Sequence, residues 1–273
     1  MPIKILAFDL DYTLIDSKKV IPPENIEALR YAHEHGAYIV PATGRIYRGI
    51  PEELRSLPFM RYFITANGSY IYDAAEDRAA ARAEIPVEQV LDFYTYADTL
   101  DVLYDCYQDN SGYMSADMLK AALPHISDPG VKKLLQTLRT PVPELKAYLR
   151  EKGTGVQKLQ LYFSDMDLRA RLLEELPERF PNLAFSSSMP FNIEINALNA
   201  TKGCALLTLC GLLGIDPVDS MALGDGTNDL DMIRAAGIGV AMANADASVL
   251  AAADYVTDSC DDLGFASAVY KFC

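Results

Sequence analysis

Short apolar runs alternate with amphipathic segments at both ends of this chain. Residues 3–6, 37–40 and 61–65 are largely apolar and of strand length, and 220–223 is a similar run in the last third. Between the first two runs, residues 22–36 open on a double proline, carry apolar residues at helical spacing and end at a glycine. Strands separated by helices in this way predict an α/β fold with a doubly wound parallel sheet.

The alternation changes near residue 84. Residues 84–190 mix predicted helices and strands, and the ends of these strands lack the acidic side chains found elsewhere in the chain. We therefore predict an inserted α+β domain at 84–190. Residues 1–83 and 191–273 are predicted to form one discontinuous core domain, whose sheet resumes at 191–195.

Two carboxylates follow the first predicted strand. Asp9 and Asp11 are two residues apart, so period-2 alternation places them on the same side of the chain. In an open α/β sheet, ligands bind at this carboxyl end of the strands. Two like charges so close cost roughly 4 kcal/mol at an effective dielectric of 20. A divalent cation is the usual compensation, and a solvated turn is the alternative.

Two later strand ends carry candidate functional groups, and those at the first of them suit phosphate. Thr43, Gly44 and Arg45 offer a hydroxyl, a close backbone approach and a cation, although Thr-Gly is also a common turn and Arg45 could equally pair with an acidic neighbour. Asn67 and Gly68 form the strongest two-residue hairpin signal, so they predict a turn, with a substrate contact as the alternative.

The last third of the chain adds a cation and more carboxylates. Lys202 lies in the first turn of a predicted helix, where the helix dipole disfavours a cation, so its placement suggests a functional role. Asp225, Asn228 and Asp229 follow the predicted strand at 220–223, within a glycine-containing loop. The structural alternatives are that Lys202 is an ordinary exposed lysine and that Asp225 and Asp229 cap a helix.

The composition limits the class of partner. The chain has 24 Lys+Arg against 38 Asp+Glu, a net charge of -14, so we expect neither nucleic acid nor an anionic membrane as a partner. We see no signal peptide and no apolar run of bilayer length. The five cysteines have no paired spacing, so we expect reduced thiols and a cytoplasmic location. The oligomeric state stays open.

Taken in chain order, the four motifs at Asp9/Asp11, Thr43, Lys202 and Asp225/Asp229 resemble those of the haloacid dehalogenase superfamily of phosphotransferases. The closer resemblance is to its Cof-like subfamily (subclass IIB), which carries a large type-two cap. The resemblance spans the whole chain and implies a Rossmann-like core with 84–190 as the cap. Tyr12 departs from the pattern, because a glycine is more usual at this position.

The resemblance also implies roles for these residues. Asp9 would be a nucleophile that forms an aspartyl-phosphate, and Asp11 the general acid and base. Thr43 and Lys202 would hold the phosphoryl oxygens, and Mg²⁺ would be the cofactor. The implied metal ligands are Asp9, Asp11 through its backbone carbonyl, Asp225, Asn228 and Asp229. The implied contacts to substrate or phosphate are Gly44, Arg45, Asn67 and Gly68.

The resulting prediction is a Mg²⁺-dependent phosphatase that hydrolyses small phosphorylated metabolites, with sugar phosphates as the expected class. One alternative is a phosphomutase on the same scaffold, which returns the phosphoryl group to a sugar. The other is a receiver-like signalling module, which stores a phosphoryl group on an aspartate. Asp11 and the inserted block favour the enzyme, because receiver modules need neither.

Overall fold

The computed structural model describes residues 2–125, 129–187 and 189–273. The strands are β1 (Ile5–Phe8), β2 (Tyr38–Pro41), β3 (Tyr62–Thr65), β4 (Tyr70–Asp73), β5 (Arg78–Arg82), β6 (Leu103–Gln108), β7 (Ser111–Ser115), β8 (Arg139–Val142), β9 (Lys158–Tyr162), β10 (Leu183–Ser186), β11 (Asn192–Ala197), β12 (Ser220–Gly224), β13 (Ile238–Ala241) and β14 (Tyr255–Val256). The helices are α1 (Pro23–Glu34), α2 (Glu52–Arg55), α3 (Val87–Ala97), α4 (Ala116–Ala122), α5 (Pro129–Leu138), α6 (Leu145–Lys152), α7 (Met166–Arg179), α8 (Lys202–Leu213), α9 (Leu230–Ala235), α10 (Ala247–Leu250) and α11 (Gly264–Phe272).

The chain divides into two compact units. The first contains the residues up to Arg82 together with Ala200–Cys273, and the second is Ala83–Asn199. The predicted inserted domain includes residues 126–128 and 188, which lie outside the described residues. Among the described residues, no helix combines the length and the apolar character needed to cross a bilayer.

The first unit is built on a parallel sheet in the order β14-β13-β12-β1-β2. Alternation along β1 sends its side chains to opposite faces. Leu6 and Phe8 pack in the cluster that contains Phe265 of α11, while Ile5 and Ala7 pack in the cluster that contains Leu206 of α8. Helices on both faces make the doubly wound fold predicted from the sequence, with β1 inside the sheet.

One predicted strand of this sheet lies elsewhere. β3 joins β4 and β5 in a separate antiparallel sheet. It lies beside β2, but their backbones pair in the isolated bridge between Ala42, just after β2, and Ile64, and not in a ladder. Proline supplies the reason. In that bridge Thr43 N donates to Ile64 O, and the residue two positions earlier, Pro41, has no N–H with which to continue a parallel ladder.

The second unit is built on a six-stranded sheet in the order β10-β11-β9-β6-β7-β8. Residues 191–195, predicted to resume the core sheet, instead lie largely in β11, which pairs antiparallel with β9 and β10. Their alternation explains this. Ile193 and Ile195 enter an apolar cluster with helices α3, α6 and α7, while Asn192 and Glu194 occupy the opposite face. A strand with one apolar face suits a sheet whose faces differ.

Candidate active site

Asp9 follows the last residue of β1, and its position is set by the sheet. Its backbone N donates to Leu223 O on β12 at 3.0 Å, which continues the parallel ladder by one residue. The side chain is buried, with 8% of the residue exposed. The apolar strand therefore delivers a carboxylate to the carboxyl end of the sheet, where the sequence predicted it.

Lys202 is the cation that meets this carboxylate. It is the first residue of α8, its side chain is fully buried, and its Nζ lies 2.6 Å from Asp9 Oδ1 and 2.6 Å from Asp229 Oδ1. Burial alone would lower the pKa of Lys202, but Asp229 and Asp9 outweigh burial and hold that pKa above its usual range. The lysine stays charged between two carboxylates, which offsets its unfavourable place at a helix N-terminus.

The loop after β12 brings two more carboxylates. Asp229 Oδ2 accepts hydrogen bonds from the backbone N–H groups of Asp225 and Gly226 at 3.1 and 3.0 Å. A Cβ on Gly224 would lie 2.4 Å from Asp229 Cβ, so only glycine fits beside this aspartate. Asp225 Oδ1 accepts a hydrogen bond from Thr13 Oγ1 at 3.0 Å. No role was predicted for Thr13 from the sequence, although it lies in the same loop as Asp11.

Three of these carboxylates form a candidate metal centre. Asp9, Asp225 and Asp229 each offer an oxygen, and these oxygens lie within 4.8 Å of one another. Burial, reinforced by the neighbouring carboxylates and opposed by Lys202, raises the pKa of Asp9 to about 7. Burial and the charge of Asp229 raise the pKa of Asp225 to about 6. The raised pKa values show that the negative charges of these carboxylates are not fully balanced by the protein. A hard divalent cation would balance them, and it prefers oxygen ligands such as these.

The Asp11 side chain points to other partners. Arg45 Nε donates to its Oδ2 at 3.0 Å and Arg45 Nη2 to its Oδ1 at 2.7 Å, while Lys19 Nζ lies 3.3 Å from Oδ1. Burial would raise the pKa of Asp11, but the bonds and charge of Arg45, helped by Lys19, hold it below its usual value. Arg45 thus contacts an acidic neighbour, which is one of the two alternatives that the sequence left open.

Tyr12 takes the conformation that explains why glycine is usual there. Its φ is 59°, in the left-handed region that glycine reaches without strain. Two contacts offset the strain in this chain: Asn244 Nδ2 donates to Tyr12 O at 3.0 Å, and Lys19 Nζ lies 3.9 Å from the centre of the Tyr12 ring. The same Lys19 Nζ lies 3.3 Å from Asp11 Oδ1, so this cation contacts both the Tyr12 ring and that carboxylate.

The two turns predicted at Thr43–Arg45 and at Asn67–Gly68 lie together. Asn67 N donates to Thr43 O at 3.0 Å, and a Cβ on Gly44 would lie 2.8 Å from Asn67 Oδ1. Gly68 has φ of 100°, and a Cβ there would lie 2.1 Å from Thr201 O, immediately before Lys202. Asn67 and Gly68 also connect the antiparallel strands β3 and β4, so the predicted hairpin forms. Asn228 is exposed on the loop that holds Asp225 and Asp229.

A family model described as haloacid dehalogenase-like hydrolase matches residues 6–269. The chain belongs to the haloacid dehalogenase-like hydrolases. It is 32% identical over 270 residues to the 5-amino-6-(5-phospho-D-ribitylamino)uracil phosphatase YcsE of Bacillus subtilis, covering 98% of this chain and 94% of the relative. The phosphatase YwtE of Bacillus subtilis, which has the same printed activity, is 30% identical, with 96% of each chain covered.

Solved structures similar to this chain support the same family assignment. A haloacid dehalogenase-like hydrolase from Bacteroides thetaiotaomicron aligns with a TM-score of 0.82 at 28% identity, covering 99% of this chain and 100% of that one. The subclass IIB sugar phosphatase BT4131 aligns with a TM-score of 0.79 at 26% identity, covering 98% of each chain. The resemblance seen in the sequence is confirmed, and this haloacid dehalogenase-like hydrolase is a phosphoric monoester hydrolase.

Proposed function

We propose that this chain is a Mg²⁺-dependent phosphatase of small phosphomonoesters that works through an aspartyl-phosphate on Asp9. The observation that carries the proposal is the buried contact of Asp9 with Lys202 beside Asp225 and Asp229. A nucleophilic carboxylate, a fixed cation and a metal-binding carboxylate set are the parts that phosphoryl transfer requires.

The proposed reaction has two displacements at phosphorus. Asp9 Oδ attacks, the bond to the leaving oxygen breaks, and Asp11 gives that oxygen a proton. For this step Asp11 must leave Arg45 and Lys19, the contacts that hold its pKa low, and take up a proton first. Asp11 then takes a proton from water, which attacks the phosphorus and breaks the bond to Asp9. Lys202 and Thr43 bind phosphoryl oxygens and orient the group for in-line attack. Gly44, Arg45, Asn67 and Gly68 are kept as candidate contacts to the substrate.

Asp9, Asp225 and Asp229 would hold Mg²⁺, with the Asp11 carbonyl and Asn228 as further candidate ligands. When bound, the ion neutralises the charge that the substrate phosphate brings to these carboxylates. Lys202 contributes one positive charge against the three carboxylates nearest to it, so the protein side chains alone leave an excess of negative charge.

The relatives suggest candidate substrates. Two curated relatives are named for a phosphorylated ribitylaminouracil, and one structural neighbour is named a sugar phosphatase. We propose phosphates of sugars and sugar alcohols, including the uracil-bearing ribityl phosphate. Phosphate release from a panel of these esters, with Mg²⁺ and then with EDTA, tests the proposal. Full release in EDTA, or release from none of the esters with Mg²⁺, contradicts it.

Mg²⁺ should raise the melting temperature, and the gain should grow with pH. Free aspartate has a pKa of about 3.9, whereas the pKa values of Asp9 and Asp225 are about 7 and about 6 in the metal-free fold. The metal-free fold therefore loses stability as pH rises from about 4 to 7, because it must give up protons that the unfolded chain has already lost. Mg²⁺ needs the deprotonated carboxylates and relieves their repulsion.

Scanning fluorimetry at pH 5 and pH 8 measures this gain. At 100 times the dissociation constant, the ion should contribute about 2.7 kcal/mol. Asp225→Asn should remove most of the gain, and Asp92→Asn, a change at an exposed residue of α3, should keep it. An equal gain at both pH values, or an unchanged gain in Asp225→Asn, contradicts the assignment.

Asp11→Asn should discriminate between leaving groups. An alkoxide from a sugar needs a proton, whereas nitrophenolate leaves readily without one, and acid–base assistance is typically worth ~10²- to 10⁴-fold. We expect a loss of that size on sugar phosphates and a clearly smaller loss on p-nitrophenyl phosphate. Equal losses on the two substrates would show that Asp11 does not act as the acid.

We also propose that the inserted block, predicted at 84–190, is a separately folded cap domain. Limited proteolysis should then cut first at the two joints of the compact units, near Arg82 and near Asn199. A phosphate mimic with Mg²⁺ should slow these cuts if the cap closes on binding. Cleavage spread evenly through the block, detected by mass spectrometry, argues against a folded cap.

A further inference from the structure

The loop between β13 and α10 is fixed against the segment that carries Asp225. Met242 N donates to Gly224 O at 3.1 Å, and Asp246 N donates to Asp225 O at 2.9 Å. Asn244 lies midway between these two anchors, and all of these residues belong to the first compact unit. The backbone on either side of Asn244 is therefore held at the carboxyl end of β12, beside the candidate site.

The side chain of Asn244 joins two further segments. Its Oδ1 accepts a hydrogen bond from Cys260 N at 2.8 Å, and its Nδ2 donates to Tyr12 O at 3.0 Å. These partners fix the orientation of the amide, because a backbone N–H can only donate and a backbone carbonyl can only accept. Cys260 is buried in the apolar cluster that contains Phe265. One side of the amide therefore contacts the core, and the other contacts the loop after β1.

Tyr12 is a residue whose conformation depends on such a contact. Its φ of 59° lies in the left-handed region, where a residue with a side chain is strained. The free-energy cost of this strain is similar in size to the net contribution of one hydrogen bond. Loss of the bond from Asn244 should therefore let the Tyr12 carbonyl spend more time in other orientations.

The conformation of Tyr12 determines where its two neighbours lie. Thr13, which follows it, has a contact of its own, because its Oγ1 donates to Asp225 Oδ1 at 3.0 Å. Asp11 precedes it, and the φ angle of Tyr12 sets the angle between the two peptide planes that meet there. A fixed Tyr12 carbonyl therefore also fixes the Cα of Asp11. The Asp11 side chain can leave Arg45 by a change of rotamer while this Cα stays in place.

We propose that Asn244 is a positioning residue for Asp11: its amide holds the left-handed turn at Tyr12, and this turn places Asp11 for proton transfer to the leaving oxygen. The inference rests on the proposed function, in which Asp11 is the general acid and base. Asn244 acts through the backbone of Tyr12. Its effect should be on the rate of the chemical step, because a proton donor must lie within hydrogen-bond distance of the atom that it protonates.

Asn244→Asp separates the two hydrogen bonds of this side chain. A carboxylate still accepts from Cys260 N but cannot donate to Tyr12 O. At saturating Mg²⁺, we expect kcat on the sugar phosphate that the wild-type chain hydrolyses best to fall about three- to tenfold, the effect of one lost hydrogen bond. On p-nitrophenyl phosphate, whose leaving group needs no proton, the fall should be less than about twofold.

Ala243→Asp is the matched control. It adds the same charge at the preceding exposed position of the loop and keeps the amide of Asn244, so it should leave the ratio of the two rates unchanged. Asn244→Ala removes both bonds without adding charge, and it should repeat the change in the ratio if the carboxylate of the first variant perturbs folding. Equal losses on the two substrates in a folded Asn244 variant, or no loss on either, overturn the inference and leave the phosphatase assignment intact.

Asp11→Asn, measured alongside, should show the same preference with a larger loss on the sugar phosphate. If the preference is absent from Asp11→Asn as well, Asp11 is not the acid, and the inference falls together with that part of the proposed function. If it is present in Asp11→Asn and absent from the Asn244 variants, only the inference is overturned.

Hydrogen exchange tests the contact without any turnover. Ile15 N donates to Leu10 O at 2.8 Å, so a peptide that covers residues 10–15 reports on the order of the loop after β1. Asn244→Asp should speed exchange in this peptide about threefold or more, and Ala243→Asp should not. Unchanged exchange in Asn244→Asp overturns the inference. Faster exchange in a chain whose wild type hydrolyses no phosphomonoester overturns the proposed function, while the anchoring of Tyr12 by Asn244 stands.

Discussion

Asp9→Asn should abolish phosphate release from every substrate, including p-nitrophenyl phosphate. The amide keeps the size of the side chain but cannot attack phosphorus, so no covalent intermediate forms. Removal of a catalytic nucleophile typically costs ~10⁴-fold or more in kcat. Because a good leaving group does not replace a nucleophile, the loss should be equally large on activated and unactivated esters.

The stability of this variant supplies the control. Burial raises the pKa of Asp9 to about 7, so at pH 8 the native chain holds a carboxylate that its surroundings disfavour. Asp9→Asn removes this charge while Lys202 keeps Asp229 as a partner, so the metal-free melting temperature at pH 8 should not fall. Residual activity above about 1% of wild type in the folded variant contradicts the role of Asp9 as nucleophile.

Lys202→Met should have the largest effect on stability. The Lys202 ammonium is fully buried and contacts Asp9 and Asp229 at 2.6 Å each, so its loss leaves two buried carboxylates facing each other. Breaking a buried ion pair by removing one partner typically costs about 3–5 kcal/mol. For a unit of this size, the melting temperature in EDTA should fall by roughly 10 °C.

Two comparisons separate this effect from a general loss of packing. Lys18→Met, at an exposed lysine, should leave the melting temperature unchanged. Adding Asp9→Asn to Lys202→Met should restore part of the lost stability, because it removes one of the stranded carboxylates. If the double variant is as unstable as the sum of the two single changes, the contact does not couple these residues. Phosphatase activity should be lost in both variants that lack Lys202.

The central residues of the candidate site were predictable because a short sequence segment around each one indicates its position in the fold. Carboxylates lie at the ends of two strands. Asp9 directly follows one short apolar run, and Asp225 and Asp229 lie in the glycine-containing loop that follows another. The helical hydrophobic pattern after Lys202 likewise shows which helix end it occupies. Strand order then brings β1 and β12 together, as a doubly wound sheet requires.

Contacts between residues far apart in the chain could not be predicted from the sequence. Arg45 and Asp11 are 34 residues apart, and nothing in their local sequence decides whether the arginine meets a phosphate or this carboxylate. The placement of β3 depended on Pro41, whose missing N–H matters only once β2 is aligned with its neighbour.

Trapping the intermediate tests the central claim most directly. The chain is mixed with a ³²P-labelled sugar phosphate and Mg²⁺, quenched in acid during turnover, and treated with borohydride, which reduces an acyl-phosphate of aspartate to homoserine. Mass spectrometry of the digested protein should find homoserine at position 9. Reduction releases the phosphate, so the label is followed in a second, unreduced aliquot, from which hydroxylamine should remove it. Phosphate release without any modified residue, or with the modification at another position, would contradict a mechanism through Asp9.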